Sequence, residues 1–387
     1  MNIQTRARWI TIFATFLAFM GIGVVDPVLP SIAASIGASH WQVELLFTSY
    51  ILVMACMMIP AGILSSRFGD KRLMSAGLLI VTAFALLCSV AGGITELALF
   101  RGGWGLGNAM FFATAMTLLI ALSRSVETAV GMYEAAIGLG LAGGPLVGGL
   151  LGDLSWRAPF FGTSLLMLIA FILVIFFVHP PAPKKAKATA GWQELRHLFT
   201  HGPFIKGALA GMFYYYGFFV VLAYSPLILS LTSIQIGLVF FGWGLCLAFG
   251  SAVLSRRLEM RFTPVKLLPF TLSAFILTLL GLFFASSSIL MIMFIVLSGL
   301  FSGLNNSLFT SHVMEHSPYE RSISSGAYNF LRWLGAAFAP VMSGLIGNSL
   351  SAHLPYLVAG VLGAAALLFI GWSRTDLQTE QTEAPKA

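Results

Sequence analysis

Charge is what this chain has least of. Only 9% of its 387 residues are Asp, Glu, Lys or Arg, against about 25% in an ordinary soluble domain. Too little polar surface remains to keep a protein of this size in water, which excludes a soluble globular fold. Cysteine is scarcer still. Cys56, Cys88 and Cys246 all fall inside apolar runs, as small packing residues do, and nothing in their placement builds a disulfide or thiolate–metal framework. No G-x-x-x-x-G-K-[ST] sequence occurs, so no phosphate-cradling loop for ATP is encoded. The seven histidines lie mainly at the ends of apolar runs or between them. His312 and His316 are four apart beside Glu315, but "HVMEH" is not a metalloprotease pattern. A membrane enzyme would need a catalytic cluster that the histidines do not form, and no cofactor or metal is expected.

What the chain has in quantity is apolar sequence, 58% by residue count. About 20 apolar residues cross a bilayer core as a helix. Twelve such runs are predicted, near 10–30, 42–65, 73–93, 96–122, 128–152, 157–178, 205–229, 233–255, 265–286, 289–314, 322–347 and 354–373. The basic start "MNIQTRARW" leads into the first run without a small-residue cleavage site, so that run reads as a retained span. Of the 21 Lys and Arg, 18 fall in the N-terminal tail, 67–72, Arg124, 184–206, 256–266, Arg321 and the C-terminal tail. These are all on one side of a twelve-span topology, which predicts that both termini are cytoplasmic. The net charge of +7 is then a property of the loops, and no nucleic-acid partner is implied. The lipid bilayer is the expected surrounding, and a monomer is expected.

The longest break, "HPPAPKKAKATAGWQELRHLFTHGP" over 179–203, divides six spans from six. It reads as a plain connector, with a short surface-lying helix from Trp192 to Phe199 as the sharper alternative. The expected organisation is a six-helix bundle over 1–178, the linker 179–203, a second bundle over 204–374 and a disordered tail over 375–387. The halves echo each other. Gly140, Pro145, Gly149 and Gly152 align with Gly335, Pro340, Gly344 and Gly347, and Pro27, Leu29 and Ser31 with Pro226, Ile228 and Ser230. Two related six-span halves are a recurring transporter plan, with the substrate site between them near the midplane.

Four motifs narrow the reading. "AGILSSRFGDKR" follows span two and resembles the loop signature of the major facilitator superfamily, G-x-L-A-D-R-x-G-R-R, through Gly62, Leu64, Arg67, Gly69 and Arg72. Ser66 stands where that signature has an acid, which removes one partner of the charge relay that latches the family's outward-facing state. "GIGVVDPVLPSIA" at the end of span one resembles a signature of the family's drug exporters. "FRGGWGLGNA" resembles the R-x-x-x-G-x-G pattern of its proton-linked members through Arg101, Gly105 and Gly107. Gly140-x-x-x-Gly144-Pro145-x-x-Gly148-Gly149 matches in full the G-x-x-x-G-P-x-x-G-G signature of its antiporters. The chain is therefore identified as resembling the 12-span drug:proton antiporter branch of that superfamily. The resemblance implies an all-α integral membrane fold with two pseudo-symmetric six-helix bundles. It also implies proton-coupled export of small amphipathic or hydrophobic compounds across a bacterial inner membrane. Export of one specific metabolite (a siderophore, sugar or lipid) is the alternative within transport, and a passive channel lies outside it.

The residues themselves carry part of that reading. Gly140, Gly144 and Gly148 recur every fourth position and form a flat stripe that lets another helix approach closely in lipid. Pro145 removes a backbone hydrogen bond and permits a bend. The stripe reads either as static packing or as a sliding contact between the halves. Asp26, Glu44, Arg101, Glu134 and Arg332 are the charges lying beyond the first two positions of the apolar runs, each costing about 2.5–3.5 kcal/mol or more at the bilayer centre unless paired or wet. Asp26 and Arg101 fall at similar depth, as do Glu134 and Arg332. Asp26 and Glu134 are the expected protonatable groups, Arg101 and Arg332 their partners, with fixed structural ion pairs as the bland alternative. Glu44, at the outer end of span two, is expected to sit solvated at the mouth. For the substrate cavity the candidates are Tyr214, Tyr215, Tyr224, Asn305, Asn306, Tyr328 and Asn329, since amides and phenols among apolar walls suit bulky amphipathic compounds. The competing reading for each aromatic is packing.

Overall fold

The computed structural model describes residues 3–123, 126–179, 192–319 and 321–383. Lipid offers no water to bond exposed backbone groups, so a spanning chain satisfies them internally as helix. Among the described residues, twelve helices are long and apolar enough to cross a membrane: Gln4–Ile36, His40–Ser65, Asp70–Val90, Ile94–Ala121, Ala135–Gly152, Ala158–Phe177, Gly202–Ile228, Ser233–Glu259, Pro264–Phe284, Ser288–Glu315, Gly326–Ser349 and Leu354–Trp372. They are spans one to twelve below, and each overlaps the run expected from the sequence.

Where the spans break, the sequence says why. Pro27 and Pro30 have no N–H to give the carbonyls of residues 23 and 26, so span one loosens after Gly23. It tightens into a 3₁₀ turn at Asp26–Val28, where the Leu29 N–H reaches the Asp26 carbonyl. Span seven deviates at the matching place, with a π turn at Val220–Tyr224 just before Pro226. Spans two and eight both open on a capping box, Ser39 with Gln42 and Thr232 with Gln235, each of which satisfies orphan N–H groups at a helix start. Gly69 of the "SSRFGDKR" loop takes φ +86°, a conformation that side-chain-bearing residues rarely adopt, and so turns the chain between spans two and three.

The internal echo extends to packing. In the first half the principal helix pairings are one with five and six, two with four, and three with four and six. In the second half they are seven with eleven and twelve, eight with ten, and nine with ten and twelve. Each pairing has its counterpart six spans later. The halves meet chiefly along spans two and eleven and along spans five and eight, which are again counterparts.

Span five shows how the halves are joined. A methyl group added at Gly140 would lie 2.6 Å from the Phe16 carbonyl oxygen, and one at Gly144 2.5 Å from that of Met20. One at Gly148 would strike the Val24 carbonyl. This stripe is therefore seated on span one, within its own half. The contact with the other half uses a second small-residue face. A methyl at Gly149 would meet the Ser233 carbonyl oxygen at 2.6 Å, one at Gly237 the Pro145 carbonyl oxygen at 2.5 Å, and one at Gly138 Ala248 Cβ at 3.1 Å. At 100° per residue the two faces are about 120° apart. The contact between halves expected of Gly140, Gly144 and Gly148 is thus made by Gly138, Pro145 and Gly149.

Two boundary readings change. Trp192–Thr200 is a helix rather than a plain connector. It buries Leu198 and sets His197 edge-on to Tyr319 at 5.8 Å between ring centroids. The last helix runs on to Glu383 rather than giving way to irregular chain at Thr375, because no helix breaker occurs before Pro385.

The seating of span five gives a stability prediction. Gly144→Val is expected to lower stability by about 1–3 kcal/mol, the ordinary cost of overpacking. Gly62→Ala is expected to be neutral, since nothing lies within 4 Å of the added group. Thermal unfolding of the purified protein in detergent, followed by loss of the monodisperse elution peak, checks both. Equal midpoints would show that span five is not held by this contact.

Candidate functional site

The first half encloses a charged cluster. Arg101, on span four, is fully buried. Its Nε–H donates to the Leu46 carbonyl at 3.3 Å, and its guanidinium carbon lies 4.5 Å from the Tyr50 ring centroid and 4.6 Å from that of Trp104. Both terminal guanidinium nitrogens lack a hydrogen-bond partner. Asp26 sits at the span-one break, fully buried, and neither of its carboxylate oxygens has a partner. Asp26 and Arg101 are close enough to act on each other electrostatically. They do not touch, so the fixed ion pair is not what the structure contains. One polar neighbour escaped the sequence reading. Asn108 Nδ2–H donates to the Tyr50 hydroxyl at 2.6 Å. Asn108 is seven residues past Arg101, hence on the same helix face, and that spacing was the available signal.

Glu44 is not at a solvated mouth. It is fully buried and both its oxygens lack a partner. The reason is the approach of span eleven: a methyl at Gly344 would lie 2.7 Å from Trp41 Cα and 3.2 Å from Glu44 Cγ. Glu134 belongs to the helix Val126–Gly152, but its side chain lies outside the described residues, as does that of Ser66.

In the second half, Arg332 is part-exposed and nests among rings. Its guanidinium carbon lies 4.6 Å from the Tyr215 centroid, 5.3 Å from Tyr328 and 6.0 Å from Trp333. Such contacts stabilise a cation where water is scarce. Of the residues expected to line a cavity, three are tied into the helix packing in this conformation. The Tyr214 hydroxyl is held by the Ser302 carbonyl at 2.8 Å and Asn306 Oδ1 at 3.0 Å, with its ring stacked on Phe309. Asn305 is fully buried; its Oδ1 accepts from the Thr271 hydroxyl at 2.7 Å and its Nδ2–H donates to the Thr271 carbonyl. Tyr224 is buried and donates to the Ala352 carbonyl at 3.0 Å. Their types and spans are legible in the sequence; which way they face is not. Asn306 and Asn329 are part-exposed, and Tyr215 and Tyr328 are buried beside Arg332.

The named contacts between halves have a direction. Ser31 with Ser233 at 3.4 Å, Trp41 with Gly344, Gly149 with Ser233 and the Thr48 hydroxyl with the Ala337 carbonyl at 2.7 Å all lie toward the end of the bundle away from Gly69. At the Gly69 end, Gly62 and Gly326 face open space, and Ile63, Leu64 and Phe68 are exposed. Among the described residues, the close approaches between the halves run from the end away from Gly69 to the middle of the bundle, where Gly138 meets Ala248.

Comparison with known proteins places this arrangement. A family model described as Major Facilitator Superfamily matches residues 11–340 and 208–387. The chain is 41% identical over 377 residues, 97% of its own length and 94% of the relative's, to the Multidrug efflux protein YfmO of Bacillus subtilis (strain 168). It is 29% identical over 194 residues, about half of each chain, to the Quinolone resistance protein NorA of Staphylococcus aureus (strain N315). Among solved structures, a bacterial homolog of the human lysosomal transporter Spinster superposes with TM-score 0.84 over 97% of this chain and 98% of that one, at 17% identity. A D-xylose-proton symporter superposes with TM-score 0.80 over 95% and 97%, at 15% identity.

Tying Tyr214 into the packing gives a test. Tyr214→Phe is expected to cost about 0.5–1.5 kcal/mol of stability, the worth of a lost hydrogen bond, while apparent substrate affinities stay within about twofold of the unsubstituted protein. Thermal unfolding and substrate titration of the same preparation check it. A substrate-selective loss of affinity would place the hydroxyl in the cavity instead.

Proposed function

The chain belongs to the major facilitator superfamily, and from that premise we propose that it is a proton-driven exporter of small amphipathic or hydrophobic compounds. It is a multi-pass membrane transporter, and nothing in its sequence offers an ATP site, so its energy comes from an ion gradient. The concentration of Lys and Arg in the N-terminal tail, 67–72, 184–206 and 256–266 orients that end toward the cytoplasm of a bacterial cell. The end where the halves touch most closely is then the outer one, which in this reading makes the protein the cytoplasm-facing member of an alternating pair. A monomer suffices, since both halves of the site belong to one chain.

The observation that carries proton coupling is the unjoined Asp26–Arg101 pair. A fixed ion pair in a dry interior is stable and inert, because each charge answers the other. Here Asp26 has no donor at all and Arg101 is held by one carbonyl and two rings. A carboxylate so placed changes its protonation whenever water or Arg101 moves nearer or farther. In this reading Asp26 binds and releases the transported proton and Arg101 sets when. The Asn108–Tyr50 hydrogen bond braces the ring against which the guanidinium lies. Glu134 is assigned to proton coupling by its place in span five, with Arg332 as the cation of the second half.

For the substrate, the part-exposed Arg332, Asn306 and Asn329 together with Tyr215 and Tyr328 offer amides, phenols and ring faces among apolar walls. Such a surface binds by shape and ring contact more than by directed hydrogen bonds. It suits the breadth that the name of the Bacillus relative states for that protein. Opening and closing involves rotation of 1–178 against 204–374 about the two small-residue contacts, five with eight and two with eleven.

Transport into proteoliposomes under an imposed pH gradient tests the reading with a panel of lipophilic cations, neutral antibiotics and siderophores. Gradient-driven uptake of several unrelated compounds is expected, and Asp26→Asn is expected to reduce it roughly tenfold or more, an ordinary coupling free energy. Uptake indifferent to the gradient sinks proton coupling. Uptake of siderophores alone replaces broad export with export of one metabolite.

A further inference from the structure

Glu44 plays no part in the Asp26–Arg101 exchange just described, yet it is the third fully buried charge of the same region. It differs from Asp26 in what buries it. Asp26 lies on a turn that packs against span five of its own half and span eight of the other. Glu44 is sealed by the other half: span eleven lies across it at Gly344, with a methyl there only 3.2 Å from Glu44 Cγ. The ionisable groups around it come from five spans. Span one contributes Asp26, span four Arg101, span seven Tyr216 and Tyr224, and span twelve Tyr356, each in electrostatic contact with Glu44 or with Asp26 beside it. His40 and Tyr50 stand on its own span, and span eleven faces it with Gly344. None of these gives either carboxylate oxygen a hydrogen bond.

The energetics follow from that enclosure. An ionised carboxylate shut away from water costs several kcal/mol without a donor or counter-ion. Arg101 is one cation among two carboxylates. With Arg101 charged and one of the two acids protonated, the cluster is neutral, and with both ionised it carries a buried negative charge. The contact between spans two and eleven is also the contact that seals the outer end. It therefore has two states of very different cost, set by one proton.

We propose that Glu44 is the proton-dependent catch of the outer gate: spans two and eleven close over it only after its carboxylate has taken a proton from external water. Closure then imports that proton, because the closed contact cuts it off from external water. Asp26 is the neighbouring acceptor, and when the inner end is open the proton leaves from there to the cytoplasm. Opening the outer end again exposes Glu44 to external water, where it ionises and waits for the next proton. Proton entry is thereby tied to gate closure, and a gate that closes without a proton would leak the gradient's energy. The inference rests on the orientation and the proton coupling proposed above.

The test reads the gate directly. Thr48 lies four residues beyond Glu44, is part-buried and donates its hydroxyl to the Ala337 carbonyl across the same contact, so a thiol placed there is reached more slowly while the outer end is shut. Thr48→Cys is made in a protein whose Cys56, Cys88 and Cys246 are changed to Ser, reconstituted, and labelled from outside with a membrane-impermeant maleimide at a series of external pH values, with rates corrected for the pH dependence of thiolate formation measured on the unfolded protein. The closed state holds one proton more than the open one, so raising pH favours opening, and labelling is expected to rise by roughly tenfold per pH unit below the midpoint and to level off above it, the profile of a single linked proton. In Glu44→Gln, whose side chain is neutral at every pH, labelling is expected to stay low and flat. Glu44→Asp keeps a carboxylate and is expected to restore a pH-dependent rise, with a shifted midpoint. A pH-dependent rise that persists in Glu44→Gln overturns the inference, and so does a flat profile in both the unsubstituted background and Glu44→Asp. The gradient-driven transport assay separates the two levels. Coupled transport with an unchanged gate profile in Glu44→Gln rejects the role of Glu44 alone, whereas uncoupled transport in the unsubstituted protein rejects the reading on which it rests.

Discussion

Hydrocarbon gives helices no hydrophobic reason to associate, since a leucine is as comfortable against lipid as against another helix. Whatever holds twelve spans together must come from close approach, and close approach needs residues without side chains to obstruct it. Span five is the clearest case. One face carries Gly140, Gly144 and Gly148 against the carbonyls of span one, and a second carries Gly138, Pro145 and Gly149 against span eight. The helix is thus a spacer gripped on two sides, one side inside its own bundle and one across to the other. Its counterpart, span eleven, repeats the scheme, with Gly335 against Met212 of span seven and Gly344 against Trp41 of span two. The joint between halves is therefore made twice, by backbone surfaces that interlock less than side-chain knobs do, and such surfaces can turn against each other without repacking.

This arrangement explains why so much of the fold could be read from residues and so little of the cavity. The spans were legible because lipid imposes one length and one composition on each. The symmetry was legible because prolines and glycines recur at fixed offsets where the backbone deviates, at Pro27 and Pro226 above all. The 3.6-residue period also gave the stripe on span five. It could not give the partner, because a flat face is equally suited to span one or span eight and the choice is made by the whole bundle. The same gap misplaced Tyr214, Tyr224 and Asn305. Periodicity assigns a side chain to a face, and which face looks into the cavity depends on neighbours on other spans, Ser302 for Tyr214 and Thr271 for Asn305 among them.

Glu44 was misread for a related reason. Its sequence position, four residues into a span, places it near the membrane surface, and near the surface a carboxylate is ordinarily wet. That argument treats depth as exposure. In a carrier with two halves the surface end of a helix is wet in one state and sealed in the other, and this structure shows the sealed one. The distinction is invisible to any reading of a single helix, because the burial is supplied by Gly344 on a span three hundred residues later.

The charged cluster then makes sense as a departure from what a stable core would use. A static protein would join Asp26 to Arg101 with hydrogen bonds, or replace both with apolar residues of similar volume, which is often at least as stable. Here the cation is parked on ring faces, which hold it without neutralising it, and the two acids are left without donors. Ring contacts are weaker and less directional than an ion pair, so moving Arg101 by a few ångströms costs little, whereas its effect on a nearby carboxylate changes steeply with distance in a dry interior. Low cost of movement combined with a large electrostatic consequence is what a device needs if a proton is to follow a conformational change. A fully satisfied network would have bought stability by giving up that sensitivity. The structure instead spreads stability over the glycine faces and keeps the charges unsettled where the halves meet.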